Sequence, residues 1–181
     1  MQVRLLITAF AVTMGAALAT QAQSIQSSYT NLAGRSCRTI KEDSSGAGYW
    51  LGQCPGVAGY KLLLEEGDLR QNLTVVTPRG KKQSLDLWSV VASGFSRVGD
   101  KAEWRLKKQR GGAAPIALIV RFIVSIDPED STRTKSYLAV SKITSTEICV
   151  THKIEPGPSA NEAARKAADE AGSKPCLASP E

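Results

Sequence analysis

Four cysteines constrain this chain more than any other feature: Cys37, Cys54, Cys149 and Cys176 are an even set, and in an oxidising compartment an even set reads as two disulfides. Three connectivities exist, and the spacing favours one. The midpoint between Cys37 and Cys54 falls at Ser45/Gly46, inside the flexible run Ser44-Ser45-Gly46-Ala47-Gly48. A hairpin with an even loop there pairs residues whose numbers sum to 91. Cys37 then lies directly across from Cys54, where Cβ atoms approach to about 4.5–5.5 Å. The remaining pair, Cys149 with Cys176, closes a loop of 27 positions and ties the C-terminal segment to a strand. By loop-closure entropy the two bridges contribute about 3 and 3.5 kcal/mol. A zinc site fits poorly, because the chain has no CxxC spacing and a single histidine.

The N-terminus supplies the compartment. Arg4 precedes an apolar run at 5–18 broken only by Thr8 and Thr13, and two small-x-small sites follow, Ala17-Leu18-Ala19 and Thr20-Gln21-Ala22. This is the pattern of a secretory signal peptide over residues 1–22, cleaved after Ala19 or Ala22. A run of 14 positions is short of the roughly 20 residues that cross a bilayer, so no transmembrane segment is expected in the mature chain. No cysteine follows either site to accept a lipid. Residues 23–181 are then expected to form a single exported globular domain, and the layout looks bacterial, which points to the periplasm or the medium. The whole chain carries +6, of which Arg4 is lost with the leader.

The body of the chain reads mostly as strands. Residues 60–66 and 70–77 flank the turn signal Gly67-Asp68 and fit a hairpin. Trp104 and Leu106 alternate with Glu103, Arg105 and Lys107, which predicts a half-buried strand with a charged outer face. From 116 to 126 both faces are apolar except at Arg121, the pattern of a central strand covered on two sides. Residues 137–143 and 148–154 suggest a last hairpin. Ser159-Ala160-Asn161-Glu162 has the form of a capping box, and a helix is expected over about 160–171, with i,i+4 pairs Glu162–Lys166 and Arg165–Asp169. Its alanine stripe offers little area for docking, so Cys176 is expected to hold it down. Residues 85–95 place Leu85, Trp88, Val91 and Phe95 at helical spacing while also alternating as a strand would; a short internal helix is the reading preferred. The expected fold is α+β, a single disulfide-stapled domain of mostly antiparallel strands with a C-terminal helix.

A search for chemistry returns little. His152 is the only imidazole, and alternation puts it beside Ile148, Val150 and Ile154 on an apolar face, where a hydrogen-bonded structural histidine is the usual case. Arg121 must be paired with a carboxylate or lie in an opening. The acidic groups at Glu65, Glu66 and Asp68 and at Asp127, Glu129 and Asp130 sit at strand ends and read as solvated turns; the second set has the chemistry for a calcium ion but lacks the ligand periodicity of a known loop. No cofactor motif is present. The basic residues Lys101, Arg105, Lys107, Lys108 and Arg110, joined by Arg79, Lys81 and Lys82 from another turn, form a possible anion-binding face. In an envelope compartment such a face meets lipopolysaccharide phosphates, acidic glycans or acidic proteins rather than nucleic acid.

Ser45-Gly46-Ala47-Gly48-Tyr49 resembles the S-G-x-x-Y signature of periplasmic lysozyme inhibitors, and Tyr137-Leu138-Ala139-Val140-Ser141-Lys142 is similar to their Y-x-x-x-T-K-G element. Ser141 stands for the threonine and Ile143 for the glycine, and the two elements are 92 residues apart here, against close neighbours in that family. The resemblance implies that Ser45 and Lys142 would enter a lysozyme cleft. The residues themselves point to an exported, non-enzymatic binding module of the bacterial envelope, with a hydrolase of unfamiliar site as the alternative.

Overall fold

The computed structural model describes residues 24–179; the signal peptide expected at 1–22 lies outside them. The described chain runs β1 (Ile25–Asn31), β2 (Arg38–Asp43), β3 (Tyr49–Pro55), β4 (Lys61–Gly67), β5 (Arg70–Val76), β6 (Lys82–Ser84), α1 (Leu87–Val90), β7 (Ser96–Gln109), β8 (Gly112–Ser125), β9 (Thr134–Ile143), β10 (Ile148–Ile154) and α2 (Ala160–Glu170). The fold is α+β, dominated by antiparallel strands and closed by the C-terminal helix.

The strands form one sheet in the order β10-β9-β8-β7-β5-β4-β3-β2, with β1 beside β7 and β6 beside β5. Among the described residues one parallel contact, Arg70 with Ser96, joins β5 to β7. Beyond it the ladder is continued by a side chain, since the Val98 amide donates to Gln71 Oε1 at 2.8 Å. The two halves of the sheet share one core: Leu62 and Leu64 from β4, Leu73 and Val75 from β5, and Trp104, Phe122 and Val150 from the other half all contribute.

β8 is covered on both faces, as its sequence requires. Leu118, Val120, Phe122 and Val124 enter that core, while Ala117 and Ile119 face outward with Leu138 and Val140 of β9. Ala164, Ala168 and Ala171 cover the outer set, and being small they let the helix lie close to the sheet. Its cap differs from expectation: Ser159 makes no side-chain capping bond, and only its carbonyl takes part, accepting the first helical bond from the Ala163 amide. The expected pair Arg165–Asp169 is also replaced, because both side chains reach down to the sheet.

Both disulfides form as the spacing favoured, Cys37–Cys54 and Cys149–Cys176. Arg38 pairs with Gln53 and Thr39 with Gly52, the register of 91, before a bulge shifts the pairing by one. The second bridge seats the C-terminal tail along the edge strand, where the Leu177 amide donates to the Val150 carbonyl at 2.8 Å. The internal helix is a single turn. Leu85, Leu87 and Val91 are buried around it, whereas Trp88 and Phe95, expected on its inner stripe, stand out in solvent.

Candidate functional site

Hairpin topology sorts the charges between the two ends of the sheet. β7 and β8 are antiparallel, as are β8 and β9, so the β7–β8 turn and the β9–β10 turn share one end. The turn between β5 and β6 joins them there, since Lys81 Nζ donates to the Thr146 carbonyl at 3.2 Å. Arg79, Lys81 and Lys82 are therefore brought to the same end as Lys107, Lys108 and Arg110. None of the six forms an ion pair among the described residues, and Glu147, the carboxylate of the β9–β10 turn, is taken by Lys142 at 2.6 Å. The β7–β8 tip is held open by Gly111 and Gly112 at φ 91° and 143°, a conformation that glycine adopts without steric cost.

Two members of the expected basic face lie elsewhere. Arg105 is buried beneath α2, where its Nε donates to Asp169 Oδ1 at 2.7 Å and its Nη2 to Oδ2 at 2.8 Å. The outer face of β7 is charged as expected, but the helix covers it and its charges are spent on one another. Lys101 is exposed and donates to Asn31 Oδ1 at 3.2 Å. It stands six residues from Lys107, about 20 Å along an extended strand. The basic stretch is thus interrupted by a neutralised arginine, and only its C-terminal part joins Arg79, Lys81 and Lys82.

The network under the helix is the feature that reading the sequence missed. Glu103 accepts from Arg165 Nε at 2.7 Å and from Ser27 Oγ at 2.5 Å, and Arg165 also donates to the Tyr29 hydroxyl. Burial pushes the Glu103 carboxyl up, but its hydrogen bonds and the Arg165 charge outweigh this and hold it below the usual carboxylate range. The Asp169 hydrogen bond raises Arg105 above its ordinary value. The only sequence signal for this arrangement was opposite charge on the strand and helix, without the register that joins them.

Arg121 is exposed and donates to Ser136 Oγ at 2.8 Å, with no carboxylate in ion-pair range among the described residues. It lines a surface cavity of about 260 Å³ with Lys101, Arg165 and Glu103. Gly99 makes room for it, since a Cβ there would lie 2.9 Å from Arg121 Cβ. His152 is not part of that cavity. A bulge between Val150 and His152 changes the alternation of β10, so Ile148 and Val150 enter the core while His152 pairs with Val140 on the helix-covered face. Its Nδ1 lies 3.0 Å from Thr151 Oγ1. The carboxylates at 127–130 organise their own turn: Asp127 accepts from the Glu129 amide and Arg133, and Asp130 from Thr132.

Ser45 and Lys142, which carry the resemblance to lysozyme inhibitors, are not brought together. Ser45 is exposed in the β2–β3 turn, at the end of the sheet opposite the cationic turns. Lys142 is buried on β9, held by Glu147 and by the Lys174 carbonyl at 2.9 Å. Among the described residues no helix is long and apolar enough to cross a membrane. Comparison with known protein families, curated proteins and solved structures finds no match.

Proposed function

We propose that this chain is an exported, non-enzymatic binding module of the bacterial envelope that engages an anionic partner through the cationic end of its sheet. One observation carries the reading: two turns far apart in sequence place six cations at one end of the sheet, none of them in an ion pair among the described residues. Uncompensated charge of one sign on a rigid frame raises the local concentration of counter-charged groups and speeds their capture. The two disulfides and the leader-like N-terminus support export. Lipopolysaccharide phosphates and the carboxylates of acidic glycans are the matching chemistry in that compartment.

Salt decides the matter, because exposed charges are largely screened beyond about 8 Å near 0.15 M ionic strength. Binding of the purified mature domain to lipopolysaccharide and to alginate is measured at low and high salt. A variant carrying Lys107→Ser, Lys108→Ser and Arg110→Ser is measured beside it. The expected result is binding at low salt that falls steeply as salt rises and is lost in the variant. No binding at low salt, or equal binding by the variant, overturns the proposal.

A further inference from the structure

On the helix-covered face, β8 presents the apolar Ala117 and Ile119 and then, at the next outward position, Arg121. A bulge in β7 decides what stands beside it. Between the pairs Val98–Phe122 and Ala102–Val120, residues 99–101 of β7 oppose Arg121 alone. Bulges of this kind re-aim side chains and are enriched next to active sites. Gly99 leaves room for Arg121, and Lys101 lines with it the same cavity of about 260 Å³, whose base is closed by the buried Ile119 and Leu138.

Three cations, Lys101, Arg121 and Arg165, face this cavity against one carboxylate, Glu103. That carboxylate is spent, since it accepts from Arg165 Nε at 2.7 Å and from Nη2 at 3.3 Å. Lys101 donates to the neutral Asn31 and Arg121 to the neutral Ser136, and neither has an ion-pair partner among the described residues. Asp100 and Glu162 adjoin lining residues in sequence but do not line the cavity; Asp100 lines a different one. Two positive charges are therefore left over. Like charges on neighbouring strands oppose pairing, and an anion between them turns that repulsion into attraction.

We infer that this cavity is a site for a phosphate group, free or carried as the monoester of a small molecule. Two uncompensated positive charges match a phosphomonoester, which carries roughly −1.5 to −2 near pH 7, better than a carboxylate with its single charge. A guanidinium takes two phosphate oxygens at once, whereas an ammonium acts as a point charge, so Arg121 supplies direction and Lys101 supplies attraction. The volume falls below the roughly 300–1,000 Å³ of sites for drug-sized ligands, which keeps the occupant small. The exposed Tyr29 ring and the Asn161 side-chain amide, both on the cavity wall, are placed to meet a sugar or polyol body. Lys101 stands about 20 Å along β7 from Lys107, so this site and the cationic turns can each fail without the other.

Inorganic phosphate and glucose 1-phosphate are titrated separately into the mature domain at fixed ionic strength, with glucose and glucuronate as controls, and followed by backbone amide and arginine Nε–H chemical shifts. The expected result is saturable binding of both phosphates with shifts centred on Lys101, Arg121 and Asn161, none with glucose, and about tenfold weaker binding of glucuronate. Tighter binding of glucose 1-phosphate makes the ester the occupant, and equal binding makes it free phosphate. Arg121→Gln lowers phosphate affinity about tenfold and Arg121→Lys by less, because the charge is kept and the fork is lost. Lys107→Ser with Lys108→Ser leaves it unchanged, and thermal unfolding shows that each variant is folded. No saturation by either phosphate, glucuronate bound as tightly as glucose 1-phosphate, shifts centred on Lys107 and Lys108, or full affinity in Arg121→Gln overturns the inference.

Discussion

Arg105 on β7 and Asp169 on α2 face each other as a two-pronged ion pair, Nε to Oδ1 and Nη2 to Oδ2, with the guanidinium buried beneath the helix. One turn earlier on the helix, Arg165 reaches Glu103 in the same manner with the charges reversed. The alanine stripe of α2 supplies close approach but little area, so these crossed pairs orient the helix on the sheet. A guanidinium in such a place is costly if its partner is removed.

Asp169→Ala is therefore expected to lower stability by about 2 kcal/mol, because Arg105 is left buried against only Ser27 and the more distant Glu103. Thermal unfolding checks this as a fall of roughly 4–8 °C in Tm for a chain of this length. Replacing both partners, Arg105→Met with Asp169→Leu, is expected to recover most of the loss. Failure of the double variant to recover would show that the pair does more than neutralise itself.

Stability should fall in acid through Glu103. Its folded carboxyl is held below the ordinary 4.5, so its contribution is fully present above that value and is lost as pH falls through the lower folded value. Urea midpoints measured from neutral pH down to about pH 3 are expected to decline below about pH 4.5. Glu103→Gln should flatten that part of the curve and lower the plateau above it. An unchanged acid slope in the variant would assign the decline to other carboxylates.

The disulfides offer a check that needs no partner. Non-reducing peptide mapping is expected to find Cys37 linked to Cys54 and Cys149 to Cys176. Cys149→Ala with Cys176→Ala should cost about 3.5 kcal/mol and expose the Leu177 amide to exchange, since its bond to the Val150 carbonyl is then supported only by the Lys142–Lys174 bond and the packing of Leu177. Protection unchanged at that amide would mean that the tail docks without its bridge.

The parts of the fold legible in the sequence were those set by local rules. The Ser45/Gly46 midpoint located the first hairpin and its bridge, and the apolar run from 116 to 126, broken on one face at Arg121 and Ser125, located the covered central strand. Features set by packing between distant elements were not legible. Arg105 looked solvent-facing because alternation assigns a side but not what covers it, and α2 covers it from 64 residues away. His152 was placed with Ile148 and Val150 because periodicity carries no mark of the bulge that separates them. Trp88 and Phe95 matched a helical stripe, yet the helix stops after one turn and leaves both outside. The cationic end was half visible: its residues stood out, but only strand order shows that Arg79 and Arg110 share an end while Lys101 does not.

The turn at Leu69 holds strain that burial does not offset: with Asp68 it forms a two-residue hairpin turn in which both residues have positive φ, 52° and 57°, and the leucine side chain is 62% exposed. Leu69→Asn is expected to relieve that strain, because asparagine tolerates positive φ and the exposed side chain surrenders little buried area. A gain of about 0.5–1 kcal/mol is expected, read as a higher urea midpoint with an unchanged slope. A loss of stability would mean that Leu69 is held by packing against its neighbours, and that this packing outweighs the backbone strain.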